Sequence, residues 1–382
     1  MIASKVQGIT PFIVMEVLER AEILEKQGAK IIHLEVGEPD FDVPQSVLDA
    51  TSQAMNEGRT HYTNSLGDPE LRVAICEHYK NEYGVTIVPE QVLVTSGSSP
   101  AILLVLSVLC DAGDEVILSD PGYACYPNFI RYLGACEVKV PVYEEDGFQY
   151  RAENICKHIS DRTKAILINS PMNPTGNLLE PETLAEIAKF SPYIISDEIY
   201  HGLVYRGRAH SILEYTDKAF VLNGFSKLYA MTGLRLGYVI APREFIRPMQ
   251  KLQQNLFICA SSVAQRAGIA ALRNSKVEVE KMRETYNSRR LFMLDRLNKM
   301  GLKPAIEPTG AFYVFINVRR IASDSYKLAF DILEKAHVGV TPGIDFGENG
   351  EGYIRLSYAN SIENISEGLN RLEKYFSEFK GF

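Results

Sequence analysis

Apolar and polar residues follow two alternating patterns along the chain. Short continuous apolar runs occupy 31–36 (IIHLEV), 91–95 (QVLVT), 115–119 (EVILS), 136–140 (CEVKV), 164–169 (KAILIN), 193–196 (YIIS), 219–223 (AFVLN) and 236–241 (LGYVIA). Their length and their Val/Ile content predict strands. The lack of apolar/polar alternation predicts burial on both faces, as in a parallel sheet covered by helices. Between many of them, helical spacing recurs at 11–27, 69–83, 100–111, 123–133, 181–190 and 261–273. This alternation from about residue 45 to residue 285 predicts an α/β fold with a mostly parallel sheet between helices. A long charged helical stretch covers 276–299, and the pattern then changes. The segments 311–318 (AFYVFINV) and 353–359 (YIRLSYA) predict strands of a separate small sheet, closed by a helix at 361–379.

Composition narrows the class. The 382 residues are 46% hydrophobic and 23% charged, and glycine and proline are at background, which excludes collagen-like and low-complexity chains. A net charge of −8 without any run of Lys and Arg argues against nucleic acid as a partner. The six cysteines, at 76, 110, 125, 136, 156 and 259, are scattered, with no C-x-x-C pair and no zinc-type pairing with a nearby histidine. No metal site is therefore expected, and reduced thiols suit a cytoplasmic protein. The N-terminus lacks a secretory pattern, and the longest apolar run, 101–110, is too short to cross a bilayer, so no membrane association is expected.

In α/β sheets ligands gather at the carboxyl ends of strands, so the polar residues there carry the functional argument. After 91–95 comes TSGSSP, where Gly97, Ser98 and Ser99 open a helix. Such a turn either binds a phosphate or simply caps a buried helix. After 164–169, two prolines in SPMNPTGN stiffen the backbone around Asn173, although the same residues also make a plain turn. Asp197 follows Tyr193-Ile194-Ile195 and is expected to be desolvated. A buried carboxylate requires a cation, from a structural Lys or Arg or from a cationic cofactor ring. Tyr200, three residues on, could reach the same place. Lys227 lies among Phe225, Leu228, Tyr229 and Met231, a setting that would depress its pKa and make it nucleophilic toward carbonyls. Arg235 lies eight residues further on, between Gly233 and Gly237, where a guanidinium could grip a phosphate.

An anion-binding turn, an asparagine at a strand end, a buried aspartate, a desolvated lysine and a following arginine together meet the needs of pyridoxal 5'-phosphate. The sequence resembles the class I/II aminotransferases of fold type I, close to their aspartate aminotransferase-like branch. The likeness runs from GEPDF (37–41) through YTNSLGDPELR (62–72), SPMNPTG, SDEIY and FSKLYAMTGLRLGY to YIRLSYA. It implies a large cofactor-binding domain, 45–285, with a seven-stranded sheet. It also implies a smaller α+β domain made of 1–44 and 286–382.

The resemblance further implies that Lys227 anchors the cofactor and shuttles the proton, with Asp197 on the ring nitrogen and Asn173 and Tyr200 on the ring oxygen. Ser98, Ser99 and Arg235 would hold the phosphate, and Tyr123 would stack on the ring. Arg355 would clamp the substrate carboxylate beside Gly37 and Asn173. Tyr62 would reach the neighbouring subunit's phosphate, which implies a homodimer with shared sites and with amino-acid and 2-oxo-acid substrates.

Two positions depart from the pattern. Gly224 stands where many relatives have a phosphate-binding serine. Ser99 stands where some aspartate-specific relatives have a lysine. With Pro11-Phe12-Ile13 placed over the pocket by the same resemblance, uncharged donors are expected to be favoured over aspartate, unless Arg131 or a partner arginine supplies the cation. The alternatives on the same fold are a cysteine-S-conjugate β-lyase and a ligand-sensing regulator. A regulator should have lost Lys227 or Arg355, and both are present.

Overall fold

The computed structural model describes residues 2–379. Seven strands form one sheet in the spatial order Val92–Thr95, Gly237–Ile240, Ala219–Gly224, Tyr193–Asp197, Thr163–Asn169, Glu115–Asp120, Cys136–Pro141. All pairings are parallel except those of Gly237–Ile240, which runs antiparallel to both neighbours. Successive side chains point to opposite faces, and both faces are buried. Val92, Val94, Ile166, Ile168, Val221 and Ile240 pack on one side, where the helices Pro69–Tyr83 and Ser262–Asn274 cover them. Leu93, Val116, Leu118, Leu167, Leu222 and Val239 pack on the other, under Ser98–Leu109 and Arg243–Leu256. The sequence runs lack alternation for this reason.

The C-terminal segment builds an antiparallel sheet of Thr341–Pro342, Tyr353–Ser357 and Tyr313–Asn317. It packs with the helices Lys276–Lys299 and Ile362–Phe376 in a second core. Ile32–His33 pairs in parallel with Val338–Gly339, which ties the N-terminal segment to this part of the chain. Residue 285 falls inside the 24-residue helix Lys276–Lys299, so that helix runs through the position taken as a boundary. Among the described residues no helix is long and apolar enough to cross a membrane.

Three expectations need correction. The run 31–36 is a strand only at Ile32–His33. Beyond it the Glu35 carbonyl accepts from Arg355, and the Gly37 carbonyl accepts from Lys227, instead of from a sheet partner. The helix placed at 100–111 begins at Ser98, so Ser98 and Ser99 themselves supply its first N–H groups. The helices Gln45–Asn56, Ala152–Cys156, Arg243–Leu256 and Ser325–Ala336 were not anticipated. Arg243–Leu256 is masked by its Pro248 and its polar content, and Gln45–Asn56 buries only Val47 and Ala54.

Candidate active site

Strand register brings the predicted chemistry to one edge of the sheet. Asn169 lies beside Asp197, and Gly237 lies beside both Thr95 and Gly224. Because Gly237–Ile240 runs antiparallel, the residues before it reach the same edge as the residues after its neighbours. Arg235 thereby comes against the turn that follows Thr95. Gly97 has φ +92°, and a Cβ there would lie 2.6 Å from Arg235 Nη2. Only a glycine both takes that conformation and lets the guanidinium sit so close. A Cβ on Gly237 would likewise meet Gly97 carbon at 2.7 Å. The result is a cradle of first-turn N–H groups from Ser98 and Ser99 with a guanidinium beside it, which suits an anion.

A cavity of about 220 Å³ opens over this edge. Ser98, Ser99, Tyr123, Asn173, Asp197, Tyr200, Lys227, Gly37 and Arg355 all line it. Lys227 Nζ donates to Gly37 O at 2.6 Å, and burial pulls its pKa down to about 8. Arg355 is almost fully buried. It donates to Asn173 Oδ1 at 2.9 Å and to Glu35 O at 2.6 Å, lies 4.2 Å over the Tyr313 ring, and leaves Nε with no partner. A buried guanidinium with no carboxylate on it is a receptor for one.

For Asp197 the sequence leaves two cations open, a structural Lys or Arg and a cofactor ring. No Lys or Arg among the described residues pairs with it. Its Oδ2 accepts from Tyr126 OH at 2.7 Å and its Oδ1 from Ile199 N at 3.1 Å. Burial pushes its pKa up to about 6. A protonated ring nitrogen is the cation this carboxylate lacks, so the donor set fits pyridoxal phosphate. Tyr200 OH shares a 2.8 Å hydrogen bond with Tyr313 OH. Tyr123 meets Tyr126 edge-on at 5.1 Å and Phe12 at 6.1 Å.

Two predicted residues lie off the cavity wall. Arg235 borders the cradle and donates to Thr232 O at 2.9 Å. Tyr62 is 81% exposed. Arg131 lines a neighbouring cavity, where it is ion-paired with Glu137. Sequence reasoning missed Tyr126, Asn169 and Tyr313. Tyr126 lies three residues after Tyr123 in the same segment, a spacing that could have found it. Asn169 ends the strand before Asn173 and accepts from the Asn173 N–H at 2.8 Å. Tyr313 carried no local signal.

An α/β edge with an anion cradle, a depressed lysine, an unpaired aspartate and a buried free arginine defines a transferase site for amino acids built on a phosphate-bearing carbonyl cofactor. The sequence matches the family described as Aminotransferase class I and II over residues 29–372. It is 43% identical, over 99% of this chain and all of the relative, to (5-formylfuran-3-yl)methyl phosphate transaminase of Methanocaldococcus jannaschii. It is 41% identical, over 98% of this chain and 96% of the relative, to aspartate aminotransferase of Pyrococcus horikoshii. The crystal structure of Thermus thermophilus aspartate aminotransferase with maleate superimposes with a TM-score of 0.94 at 37% identity, covering 98% of this chain and 99% of that one. The chain belongs to the class I and II aminotransferases, in the aspartate aminotransferase-like branch of fold type I, and is a pyridoxal-phosphate-dependent transaminase.

Proposed function

We propose that this transaminase moves the α-amino group of uncharged amino acids (alanine, methionine, leucine or the aromatic ones) to 2-oxoglutarate or pyruvate. The cavity wall carries the reading. Phe12, Val14, Met15, Leu18 and Ile102 form it, and its only cations among the described residues are Lys227 and Arg355. Both have work in any transamination, so a distal carboxylate, aspartate's or that of 2-oxoglutarate as acceptor, would need a cation from outside this wall, such as a partner arginine. Ser99 is neutral, and Arg131 is held by Glu137. A desolvated apolar wall rejects a charged side chain, while each fitted methylene adds about 1–3 kcal/mol. The Methanocaldococcus relative is named for a phosphate-bearing aldehyde. A distal phosphate would need the same missing cation, so the uncharged reading is preferred. Comparing kcat/KM for aspartate with that for alanine, methionine and phenylalanine tests it. The uncharged donors should lead by at least about tenfold, one pocket methylene's worth of discrimination, and a preference for aspartate would refute the assignment. Ammonia released from cystathionine without an oxo-acid acceptor would favour the β-lyase alternative.

In this reading Arg355 orients the substrate through its carboxylate, with Asn173 and Gly37 beside it. Lys227 Nζ takes the proton from the substrate's Cα, and burial lowers its pKa to about 8, toward the range a general base needs. Pyridoxal phosphate, when bound, supplies the carbonyl that takes the amine and the ring that withdraws electrons. Asp197 would keep that ring's nitrogen protonated, Tyr200 and Asn173 would hold its oxygen, and Tyr123 would pack against the ring. Ser98, Ser99 and Arg235 hold the phosphate, without the hydroxyl that Gly224 lacks. The large domain would span 45–285 and the small one 1–44 with 286–382. The free thiols suit a cytoplasmic setting.

The same proposal includes a homodimer, in which exposed Tyr62 completes the partner's phosphate site. Tyr62→Ala and Lys227→Ala proteins should each be nearly inactive, while mixing them under subunit exchange should restore part of the activity. One site of the heterodimer then has both residues. An active enzyme that sediments as a monomer would contradict shared sites.

A further inference from the structure

The helix Ile13–Lys26 forms part of the cavity wall, yet its sequence supplies no cap. Its N-cap residue is Phe12, which has no side-chain acceptor. A helix start leaves N–H groups without partners, and here they are satisfied from more than three hundred residues away. Asp345 Oδ1 accepts from Ile13 N at 3.0 Å and Oδ2 from Val14 N at 3.3 Å. The carboxylate sits at the positive end of the helix dipole, where negative charge is favoured. A second clamp lies just upstream, where Asn128 accepts from Thr10 N at 3.1 Å and donates to Thr10 O at 3.1 Å. The segment so held presents Phe12, Val14, Met15 and Leu18 to the cavity and sets Phe12 edge-on against Tyr123.

We propose that Asp345 is a positioning residue for substrate selection: by capping the helix Ile13–Lys26 from across the chain, it fixes the apolar wall that meets the substrate side chain. This rests on the reading that the cavity receives amino-acid side chains against that wall.

Asp345 also responds to pH. Burial pushes its carboxyl up to about 6, and the groups facing it are the charged Arg355 from the small sheet and Glu16 from the capped helix, with the neutral Cys125 thiol. Arg131, Lys139, Asp120 and Glu348 share the adjoining cavity with it. As pH falls through 6 the carboxyl gains a proton and loses half of its acceptor capacity, so the cap weakens.

The test uses the holoenzyme with Asp345→Ala and Asp345→Asn. Hydrogen exchange at the Ile13 and Val14 amides should accelerate by about 3- to 30-fold in the alanine variant, the range expected for a lost cap, and less in the asparagine variant. KM for phenylalanine and methionine should rise by a similar factor, with alanine's KM and kcat for all three donors little changed. The wild-type rise in phenylalanine KM below pH 6 should flatten in Asp345→Asn. Unchanged exchange at residues 13 and 14 would overturn the cap. Faster exchange with equal KM changes for alanine and phenylalanine, or a uniform fall in kcat, would overturn its role in selection. A wild-type preference for aspartate would instead defeat the donor assignment and leave the exchange result standing.

Discussion

Lys227→Ala should lose transaminase activity by at least about 10⁴-fold, the upper end of what one general acid–base group contributes, because the same residue also anchors the cofactor. The loss should not come from unfolding. Lys227 is buried at a cost that shows in its depressed pKa, and its hydrogen bond to Gly37 O is replaceable by water. The melting temperature of the cofactor-free variant should therefore match the wild type or exceed it. Lys227→Arg should be equally inactive, since a guanidinium keeps its proton and cannot act as a base or a nucleophile. Single-turnover assays with phenylalanine and 2-oxoglutarate read this directly. Activity within tenfold of wild type in either variant would remove Lys227 from its assigned role.

Asp197→Asn should cost roughly 10²–10³-fold in kcat, the range seen when one preorganised electrostatic group is removed. The side chain keeps its shape and can still meet Tyr126, but it no longer holds a proton on the ring nitrogen. Its effect on stability runs the other way. The folded carboxyl titrates near 6, above the ordinary aspartate value near 4. Between those two values the folded state binds more protons than the unfolded one, so stability falls as pH rises from 4 to 6 and is flat above. Without cofactor, the asparagine variant should be more stable than wild type at pH 8 by up to about 3 kcal/mol, two pKa units at 1.36 each. The gap should close toward pH 4. Denaturant titrations of both proteins at the two pH values measure it, and a variant that is less stable at pH 8 would show that the buried charge has a partner.

Much of this site was readable before any coordinates, because one rule links sequence to place. In a parallel sheet the residue that follows an apolar run sits at the ligand edge. Asp197, Asn173, Lys227 and the serines at 98 and 99 were found that way, and the order of their motifs pointed to the family. Strand direction was not readable. Composition is the same for parallel and antiparallel neighbours, so the reversal of Gly237–Ile240 that delivers Arg235 emerges only from the pairing. Contacts made by side chains from distant segments were also hidden. Tyr313 beneath Arg355 and Asp345 on the helix Ile13–Lys26 lie on separate stretches of chain with no shared periodicity. For a related reason the sequence leaves open whether Asp197 faces a lysine or arginine or a cofactor ring. The carboxylate is held by a tyrosine hydroxyl and a backbone N–H, which leaves the cationic role to the cofactor. The helix Ser325–Ala336 is different again. Its buried Leu328, Ala329, Ile332 and Leu333 carry a helical period within the sequence itself.

The most direct test of the central claim is chemical. Purified holoenzyme should be yellow, and borohydride reduction should fix the cofactor permanently on one side chain. Peptide mapping of the reduced protein should place the added mass on the peptide containing Lys227, at close to one label per chain, and the Lys227→Ala protein should take none. A label on any other lysine, or an unlabelled protein that still transaminates, would contradict the account.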